Sequence, residues 1–452
     1  MRRHSSGSGA PDQNGTNGSS QRAPAIDRAQ HLVSRPVICI LALSRISDDP
    51  RVRRQGDAFW DAGWQVVGVG LPGGVCPAPA WVVGQQRDDG AETTDYQCNA
   101  RCSRKSDLFG FWAARIRDGG DLLAARLGGS VACRSYWRLS ADARNIYDRA
   151  SRIEADVWLA NDWAMLPVAS RLAKERGGFY GYDTHELATD EFADRLRWRF
   201  WKRPLTGAIE RRSIGGAAVV SAVSEGIAER LQDLYSLPRL PAVIRNTPIF
   251  EGTPFRPTTS PIRVIYQGII VPGRGLEAVI DSVCAWRPEF DLTIRGPGDA
   301  SFLHALQRRI YGRGLETRVR LAPPVPMTSL VQEAAGFDIG LFALPRSSRH
   351  NELALPNKLF EYIMAGLATC VTELPEMARL IRQHNLGVTI PELDPSTIAK
   401  TINRLDPESI DCYKRNALIA AQHLCWERER ELLLAAYAHC LARPGNSARQ
   451  AL

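Results

Sequence analysis

The sequence predicts an α/β protein made of two doubly wound, Rossmann-like domains that face each other across a cleft. Short apolar runs alternate with amphipathic helical patterns over most of the chain, as expected for parallel sheets covered by helices. The alternation is interrupted at residues 248–261, where four prolines and several Thr and Ser residues indicate a linker between domains. Two consecutive domains of this kind place a cleft between the carboxyl ends of both sheets, where ligands bind in such folds.

Residues 35–247 are predicted to form the N-terminal domain. Its strands are predicted at residues 37–43, 65–69, 156–160, 179–182, 217–223 and 242–245. Its helices are predicted at residues 51–62, 108–126, 163–174 and 191–213, followed by one that Ser224 caps.

Residues 262–424 are predicted to form the C-terminal domain. Its strands are predicted at residues 264–267, 292–295, 319–321, 339–343, 368–371 and 388–390, with helices between them. A last helix, over residues 425–442, lies beyond this series and is predicted to pack back across the cleft. Residues 1–34 and 443–452 are predicted to be tails, and the first should be disordered because it is rich in Ser, Gly, Asn and Gln.

The composition and charge of the chain indicate which class of protein and which partners to expect. The 452 residues include 44% hydrophobic and 23% charged residues, an ordinary balance for a soluble globular protein. A net charge of +8 favours an anionic partner, such as a phosphorylated ligand, an acidic membrane surface or nucleic acid. Ten cysteines are too sparse for a disulfide framework, and the pair Cys98 and Cys102 has no second pair to complete a zinc site. We expect reduced thiols and a cytoplasmic protein.

Membrane insertion is not expected from the sequence. No apolar run approaches the roughly 20 residues that a membrane-spanning helix needs. The segment 194–203 is strongly basic and aromatic, and it can touch an anionic membrane surface, as on the inner face of the plasma membrane, or nucleic acid. The structural alternative is a solvated helix face whose aromatic side chains pack inward. Nucleic acid is not an expected partner, since the basic residues are dispersed along the chain.

Polar residues follow three predicted strands of the N-terminal domain. They are Asp49 and Arg51 after the first strand, Asn161 and Asp162 after the third, and Asp183, Thr184, His185 and Glu186 after the fourth. The carboxyl ends of parallel strands meet at one edge of a sheet, so we expect these side chains to contact a ligand. A histidine suits contact with a sugar hydroxyl near neutral pH. The alternative is structural: Asp162 can cap its helix, and His185 can be a loop histidine with satisfied hydrogen bonds.

The run of residues 354–366 is the most informative stretch of the C-terminal domain. Pro356 and Asn357 suit a helix entrance, and Gly366 suits its exit. The free N–H groups of such an entrance attract an anion, and Lys358 adds a full positive charge. Glu361, three residues later on the same face, can accept hydrogen bonds from a ribose. This chemistry suits a nucleotide diphosphate, and the alternative is an amphipathic helix with an i,i+3 ion pair.

Two glycine-containing strand ends precede this run. Gly268 ends the first strand of the domain and lets backbone approach a ligand, while Arg274 nearby can bridge phosphate oxygens. Gly296 ends the next strand, but its surroundings do not form a dinucleotide-binding fingerprint. The sequence holds no P-loop, no H-E-x-x-H, no G-x-S-x-G and no carboxylate cluster, so no metal and no cofactor are expected.

Together these motifs resemble those of the family-4 retaining glycosyltransferases, which have the two-domain GT-B fold. The resemblance covers residues 37 to about 437. It rests on Asp49 to Val52, Ala160 to Asp162, residues 182–187, Val223-Ser224 and residues 245–248 in the first domain. In the second it rests on Gly268 to Gly275, residues 356–362, Leu374 to Glu376, Gly387, Trp426-Glu427, Glu429 and Tyr437.

The resemblance implies roles for individual residues. Glu361, at the second glutamate of the family's E-x7-E motif, would bind the donor ribose, and Arg274 and Lys358 would hold the diphosphate. His185 would meet the acceptor or the donor sugar. The remaining donor-binding residues would be Gly268, Gly296, Leu355 and Asn357, and the remaining acceptor-binding residues Asp49, Arg51, Asn161, Asp162 and Glu186. Two positions depart from the family pattern: Leu353 replaces the first glutamate, next to Glu352, and Ile269 replaces an arginine.

The function that the resemblance implies is sugar transfer with retention, without a metal. The donor would be a nucleotide-diphosphate sugar and the acceptor a saccharide or a lipid-linked saccharide, in the synthesis of a cell-surface polysaccharide or glycoconjugate. Two alternatives stay open. One is a nucleotide-sugar epimerase of the same fold, and the other is a non-catalytic binding or scaffold member, which Leu353 suggests.

Overall fold

The computed structural model describes residues 35–82, 129–191, 195–196 and 198–442. The predicted helix at 108–126, the pair Cys98 and Cys102, and both predicted tails lie outside these ranges. No helix in the described part of the chain has the length and apolar character needed to cross a membrane.

Six parallel strands form the sheet of the N-terminal domain, in the order β2-β1-β3-β4-β5-β6. They are β1 (Val37–Ala42), β2 (Gln65–Val69), β3 (Val157–Asn161), β4 (Phe179–Thr184), β5 (Val219–Ala222) and β6 (Ala242–Val243). The helices are α1 (Pro50–Asp61), α2 (Gly129–Leu139), α3 (Ala141–Ala150), α4 (Leu166–Arg176), α5 (Arg203–Ser213) and α6 (Glu225–Tyr235). The central strand β3 is buried along its whole length, as a strand covered on both faces must be.

Most predicted boundaries in this domain differ from the observed ones by a few residues, and two of the differences lie close to the predicted site or the basic segment. Strand β4 continues through Asp183 and Thr184, because both residues pair with β5. The helix predicted from residue 191 begins later. Glu191 lies in a turn, one turn of π-helix spans Trp198–Lys202, and the regular α-helix α5 starts at Arg203. Pro204 lies in the first turn of α5, where its missing N–H costs no hydrogen bond.

The C-terminal domain has a second six-stranded parallel sheet, in the order β12-β11-β10-β7-β8-β9. Its strands are β7 (Ile262–Gln267), β8 (Phe290–Arg295), β9 (Val319–Ala322), β10 (Ile339–Phe342), β11 (Ala368–Thr372) and β12 (Gly387–Ile390). Its helices are α7 (Leu276–Ser282), α8 (Ala300–Gly312), α9 (Leu330–Ala334), α10 (Arg349–Leu353), α11 (Asn357–Met364), α12 (Pro375–His384), α13 (Pro395–Ile402) and α14 (Pro407–Ala421). The prediction of two doubly wound α/β domains is confirmed.

The last helix, α15 (Trp426–Leu441), joins the two domains. The backbone N–H of Trp426 donates to the carbonyl of Pro248, at 2.8 Å. Farther along, Tyr437 is fully buried and meets the ring of Phe59 on α1 edge to face, with centroids 5.3 Å apart. The helix therefore contributes side chains to the core of the N-terminal domain.

The strand order reverses once in each sheet. In the first sheet the reversal lies between β1 and β3, and in the second between β7 and β10. Ligands of doubly wound proteins bind at this point, outside the carboxyl ends of the strands. The loops that follow these four strands are therefore the parts of the chain where a ligand site is expected.

Candidate active site

A cavity of about 610 Å³ lies between the carboxyl ends of the two sheets. Its walls come from the loops after β1, β4, β5 and β6 on one side and after β7 and β10 on the other. Eight of the predicted site residues line it: Asp49, Arg51, His185, Glu186, Arg274, Leu355, Asn357 and Lys358. The other five, Asn161, Asp162, Gly268, Gly296 and Glu361, lie outside the cavity wall.

One wall of the cavity is cationic. Arg274 is partly exposed there and has no hydrogen-bond or ion-pair partner among the described residues. The ammonium of Lys358 lies 5.2 Å from the ring centroid of Phe342, and its burial lowers the pKa of Lys358. Helix α11 begins beside them at Asn357, and no described side chain caps its first turn. Two cations and free backbone N–H groups can together bind a phosphate group.

Gly268 and Gly296 make room for this wall. A Cβ on Gly268 would lie 1.8 Å from Cε of Lys358, and a Cβ on Gly296 would lie 1.9 Å from the carbonyl oxygen of Gly268. Both residues have positive φ, at 138° and 151°. These glycines therefore let β7 and β8 end side by side beneath the side chain of Lys358.

Replacing Gly268 with alanine is expected to displace Lys358. The new methyl group would occupy the position of Cε and force an unfavourable φ, so we expect nucleotide-diphosphate affinity to fall about tenfold or more. Titration calorimetry measures this. The control is Gly312→Ala at the end of α8, where a Cβ meets nothing within 4 Å. Unchanged affinity in the Gly268 variant would contradict the placement of Lys358.

Glu361 lies on the same face of α11 as Lys358 but behind the cavity wall. Its Oε2 accepts a hydrogen bond from Nε2 of Gln267, at 3.1 Å. Gln267 in turn accepts from the guanidinium of Arg295. Burial raises the pKa of Glu361, although the hydrogen bond from Gln267 and the positive charge of Lys358 act to lower it. The carboxylate is thus held in a fixed orientation close to the cationic wall.

His185 stands on the opposite wall and is held by three side chains. Its Nδ1 lies 3.3 Å from Oδ2 of Asp162, and its Nε2 lies 3.3 Å from Oδ2 of Asp183 and 3.2 Å from Oδ1 of Asn161. Burial disfavours the charged ring, but the negative charges of Asp162 and Asp183 outweigh it and raise the pKa of His185 to about 9. At neutral pH the ring is therefore an imidazolium.

The stability of the protein should depend on this proton. Because the pKa of His185 is about 9 in the folded protein and 6.5 ordinarily, its protonation stabilises the fold below pH 6.5, and this contribution is lost as the pH rises through 9. The difference in unfolding free energy between wild type and His185→Gln should therefore shrink over this interval in urea titrations. Exposed His304, replaced in the same way, provides the control. A constant difference would contradict the proposed charge state.

Asp183 connects His185 to the buried side chain of Arg51. Nε and Nη2 of Arg51 donate to the two oxygens of Asp183 at 2.7 and 2.6 Å. Gln55 and Ser221 donate to the same carboxylate, at 2.8 and 2.5 Å. Despite burial, the charge of Arg51 keeps the pKa of Asp183 far below its usual range. Arg51 reaches the cavity wall, but its guanidinium is occupied by Asp183 and by the carbonyl of Ile244.

The other N-terminal polar residues also have partners. Asp49 caps α1 by accepting from the backbone N–H groups of Arg51 and Val52. Asp162 caps no helix, since α4 begins at Leu166 after Met165. Its Oδ1 instead accepts from the backbone N–H of His185, at 3.1 Å. Asp162 therefore positions His185 through both backbone and ring.

Part of the chain matches the model of a known protein family. Residues 262–406 match the model described as "Glycosyl transferases group 1". The matched segment contains Gly268, Arg274, Lys358 and Glu361. No curated protein is similar enough in sequence to match the chain.

Solved structures similar to this chain share its two-domain architecture. Alr3699/HepE of Anabaena, in complex with UDP and glucose, is 13% identical with a TM-score of 0.61, covering 90% of this chain and 100% of its own. Sucrose-phosphate synthase of Thermosynechococcus elongatus is 13% identical with a TM-score of 0.65, covering 90% of this chain and 100% of its own. A glycosyltransferase of Rickettsia africae is 11% identical with a TM-score of 0.59, covering 91% and 100%. At such low sequence identities, the structural similarity shows only the fold of the chain, which is GT-B.

In this GT-B fold, Leu353 does not face the cavity. Its side chain is 5% exposed and packs into the hydrophobic core of the N-terminal domain. The adjacent Glu352 pairs with exposed Arg349, at 2.8 Å, and does not line the cavity either. Neither residue therefore supplies a carboxylate to the cavity from the first position of the E-x7-E pattern.

Several polar residues that line the cavity were not predicted as site residues from the sequence. They are Ser44, Arg45, Asp48, Asn246, His350 and Asn351. Asn246 lies in the segment 245–248, which belongs to the family resemblance but for which the resemblance implies no role. His350 and Asn351 precede the run 354–366 by a few residues and belong to no local motif. Only the docking of α10 onto the other domain, which depends on contacts distant in sequence, brings them to the cavity.

Proposed function

We propose that the protein is a retaining glycosyltransferase that moves a sugar from a nucleotide-diphosphate sugar to a saccharide or lipid-linked acceptor. The observation that carries this proposal is the pairing of two walls across one cavity. Arg274, Lys358 and the start of α11 form a site for a diphosphate, and His185 faces them from the other domain. The family match over residues 262–406 and the GT-B fold support the same chemistry.

The proposed reaction uses electrostatic stabilisation of the leaving group. The bond from the anomeric carbon to the diphosphate breaks as the bond to the acceptor oxygen forms on the same face. Arg274, Lys358 and the N–H groups of α11 stabilise the charge that develops on the diphosphate. A phosphate oxygen takes the acceptor proton. Glu361, one helical turn from Lys358 and behind the cavity wall, would bind the donor ribose where the nucleotide extends past the cationic wall.

His185 has the geometry to contact the transferred sugar. Its contacts with Asn161 and Asp162 are long, at 3.2 and 3.3 Å, so a ring N–H can be shared with a substrate oxygen while the ring keeps its orientation. As an imidazolium it would donate to a sugar hydroxyl or to a phosphate oxygen. Asp162 and Asp183 would keep it charged and oriented during the reaction.

We propose that cationic side chains take the place of a metal ion at the diphosphate. Arg274 and Lys358 carry the positive charge that a divalent cation supplies in other phosphate sites. Turnover should therefore be unchanged after treatment with EDTA. Loss of activity that Mg²⁺ or Mn²⁺ restores would contradict this part of the proposal.

A thermal-shift screen over UDP-, GDP- and ADP-sugars identifies the donor. By linkage, a ligand at about 100 times its dissociation constant stabilises the folded protein by roughly 2.7 kcal/mol. The donor is then incubated with and without candidate acceptors. Transfer that requires the acceptor supports the proposal, release of a changed sugar nucleotide from donor alone indicates an epimerase, and binding without either reaction indicates a non-catalytic protein.

Glu361→Ala is expected to remove most of the activity and leave the protein folded. The variant loses the proposed ribose contact, while Gln267 stays bonded to Arg295. Steady-state kinetics with the identified donor measure the loss, and circular dichroism checks the fold. Near-normal turnover in this variant would contradict the role of Glu361.

We further propose that the N-terminal domain rests on an anionic membrane, where a lipid-linked acceptor of the cytoplasmic leaflet is presented. Leu196 and Phe200 are 65% and 57% exposed, and Arg199, Lys202 and Arg203 lie exposed around them. Trp198 packs inward, as the structural alternative predicts, but Phe200 does not. Exposed apolar side chains inside a basic surface are typical of membrane contact.

Vesicle sedimentation tests the membrane proposal. Wild type should bind vesicles that contain phosphatidylserine, and it should not bind neutral phosphatidylcholine vesicles. Phe200→Ser combined with Lys202→Glu should release the protein, whereas Arg308→Glu on α8 should not. Equal binding of both variants would contradict the proposal.

A further inference from the structure

Helix α10 belongs to the C-terminal domain in sequence and packs against α12 of that domain and α6 of the N-terminal domain. Leu353 fills part of the N-terminal core, and the carbonyl of Leu353 accepts a hydrogen bond from Oγ of Ser224, at 2.6 Å. The same Oγ accepts from the N–H of Ile227 and so caps α6. A Cβ on Gly226 would lie 2.8 Å from Leu353, so the surfaces are in close contact. The end of α10 is thereby fixed to the first turn of α6.

His350, on the same helix, reaches a different part of the N-terminal domain. Its Nε2 lies 2.8 Å from Oε2 of Glu186, and its Nδ1 accepts from the backbone N–H of Leu187, at 3.4 Å. These contacts fit the tautomer that carries its proton on Nε2. Only 12% of the His350 side chain is exposed. The ring therefore bridges the domains at the two residues that follow His185.

The segment after α10 leads directly into the cationic wall. Ala354, Leu355 and Pro356 line the cavity and are followed by Asn357 and Lys358 at the start of α11. Pro356 has a fixed φ, which limits the freedom of this connection. A shift of α10 against the N-terminal domain would therefore move Lys358 relative to His185.

We propose that His350 is a positioning residue that aligns the His185 loop with the diphosphate-binding wall. By holding Glu186 and Leu187, its ring fixes the distance between groups that the reaction requires on opposite sides of one substrate. A geometry error of about 1 Å at a reacting centre can cost roughly 100-fold in rate. This inference rests on the proposed glycosyl transfer, because alignment matters only if the two walls act together.

Another contact between the domains provides a comparison. Arg379 on α12 pairs with Glu225 on α6, at 2.6 Å, but its side chain is 47% exposed. Exposed ion pairs of this kind contribute little, because water and salt screen them. Arg379 also lies outside the cavity wall. Its loss should loosen the domain contact slightly without moving the His185 loop.

The test compares His350→Ala and His350→Gln with two controls. Arg349→Ala removes an exposed neighbour on α10, and Arg379→Ala removes the comparison pair. Calorimetry gives the donor dissociation constant, steady-state kinetics give kcat, and hydrogen exchange follows residues 183–190. For His350→Ala we expect kcat to fall about tenfold, corresponding to 1.4 kcal/mol, with donor affinity within about twofold of wild type. Exchange in the loop should accelerate, and His350→Gln should recover part of both effects.

Three results would overturn the inference: unchanged exchange in His350→Ala, equal effects in Arg379→Ala, or a loss confined to donor affinity. Hydrogen exchange needs no substrate, so it tests the contact even if no nucleotide sugar binds. Failure of every donor to bind wild type would instead overturn the proposed function. If His350→Ala does not fold, the same comparisons are made with His350→Gln.

Discussion

Replacing Arg274 with alanine is expected to lower kcat by roughly 10²–10³-fold. Arg274 lines the cavity without a hydrogen-bond or ion-pair partner among the described residues, so its charge is available for a ligand. In the proposed reaction the diphosphate gains negative charge as the sugar departs, and the guanidinium stabilises this charge more in the transition state than in the bound donor. The loss should therefore affect kcat more than KM.

Two further variants separate this role from a general loss of charge. Arg274→Lys keeps the positive charge but lacks the planar, bidentate geometry, so it should recover only part of the rate. Arg308→Ala, on the exposed face of α8, should leave turnover unchanged. Turnover in Arg274→Ala within about threefold of wild type would contradict the assignment of the leaving-group site.

Replacing Asp183 with alanine is expected to destabilise the protein by about 3–5 kcal/mol. Arg51 would then remain as a buried charge, 2% exposed, without its carboxylate partner. Gln55 and Ser221 would lose their acceptor as well. Because Asp183 also contacts His185, the variant should lose activity even under conditions where it remains folded.

Urea denaturation measures the change, and an exposed ion pair provides the control. Glu175 pairs with Arg171 at 2.8 Å, but both side chains are more than 40% exposed. Glu175→Gln should therefore cost less than about 1 kcal/mol. Equal losses for the two variants would show that Arg51 tolerates the absence of Asp183.

The fold was predictable from sequence because its pattern repeats. Inner strands such as β3, β10 and β11 are buried on both faces, so they read as short apolar runs, and many helices read as amphipathic segments. The errors in element boundaries arose where the local hydrophobic pattern alone does not decide where an element ends. Strand β4 extends through the polar residues Asp183 and Thr184 because its neighbour β5 provides hydrogen-bond partners, which no local pattern reveals.

The candidate site was predictable in part, for a related reason. Lys358 lies in the first turn of a helix whose start the sequence marks, and His185 lies three residues beyond the predicted end of the fourth strand, so their place at the cavity could be anticipated. The hydrogen-bond partners of Arg51 and Leu353 could not be predicted in this way. Arg51 lies 132 residues from Asp183, and the carbonyl of Leu353 meets Ser224 across 129 residues. The first contact depends on how the elements of the N-terminal domain pack, and the second on how the two domains pack, which also brings His350 to the cavity.

The most direct test of the account is donor binding at the cationic wall. Calorimetry with UDP, GDP, ADP and their sugars should give saturable, one-to-one binding to wild type for at least one nucleotide. The double variant Arg274→Ala, Lys358→Ala should bind that nucleotide about 100-fold or more weakly, a difference of roughly 2.7 kcal/mol. If no nucleotide binds wild type, or if the double variant binds as tightly, the cavity is not the donor site.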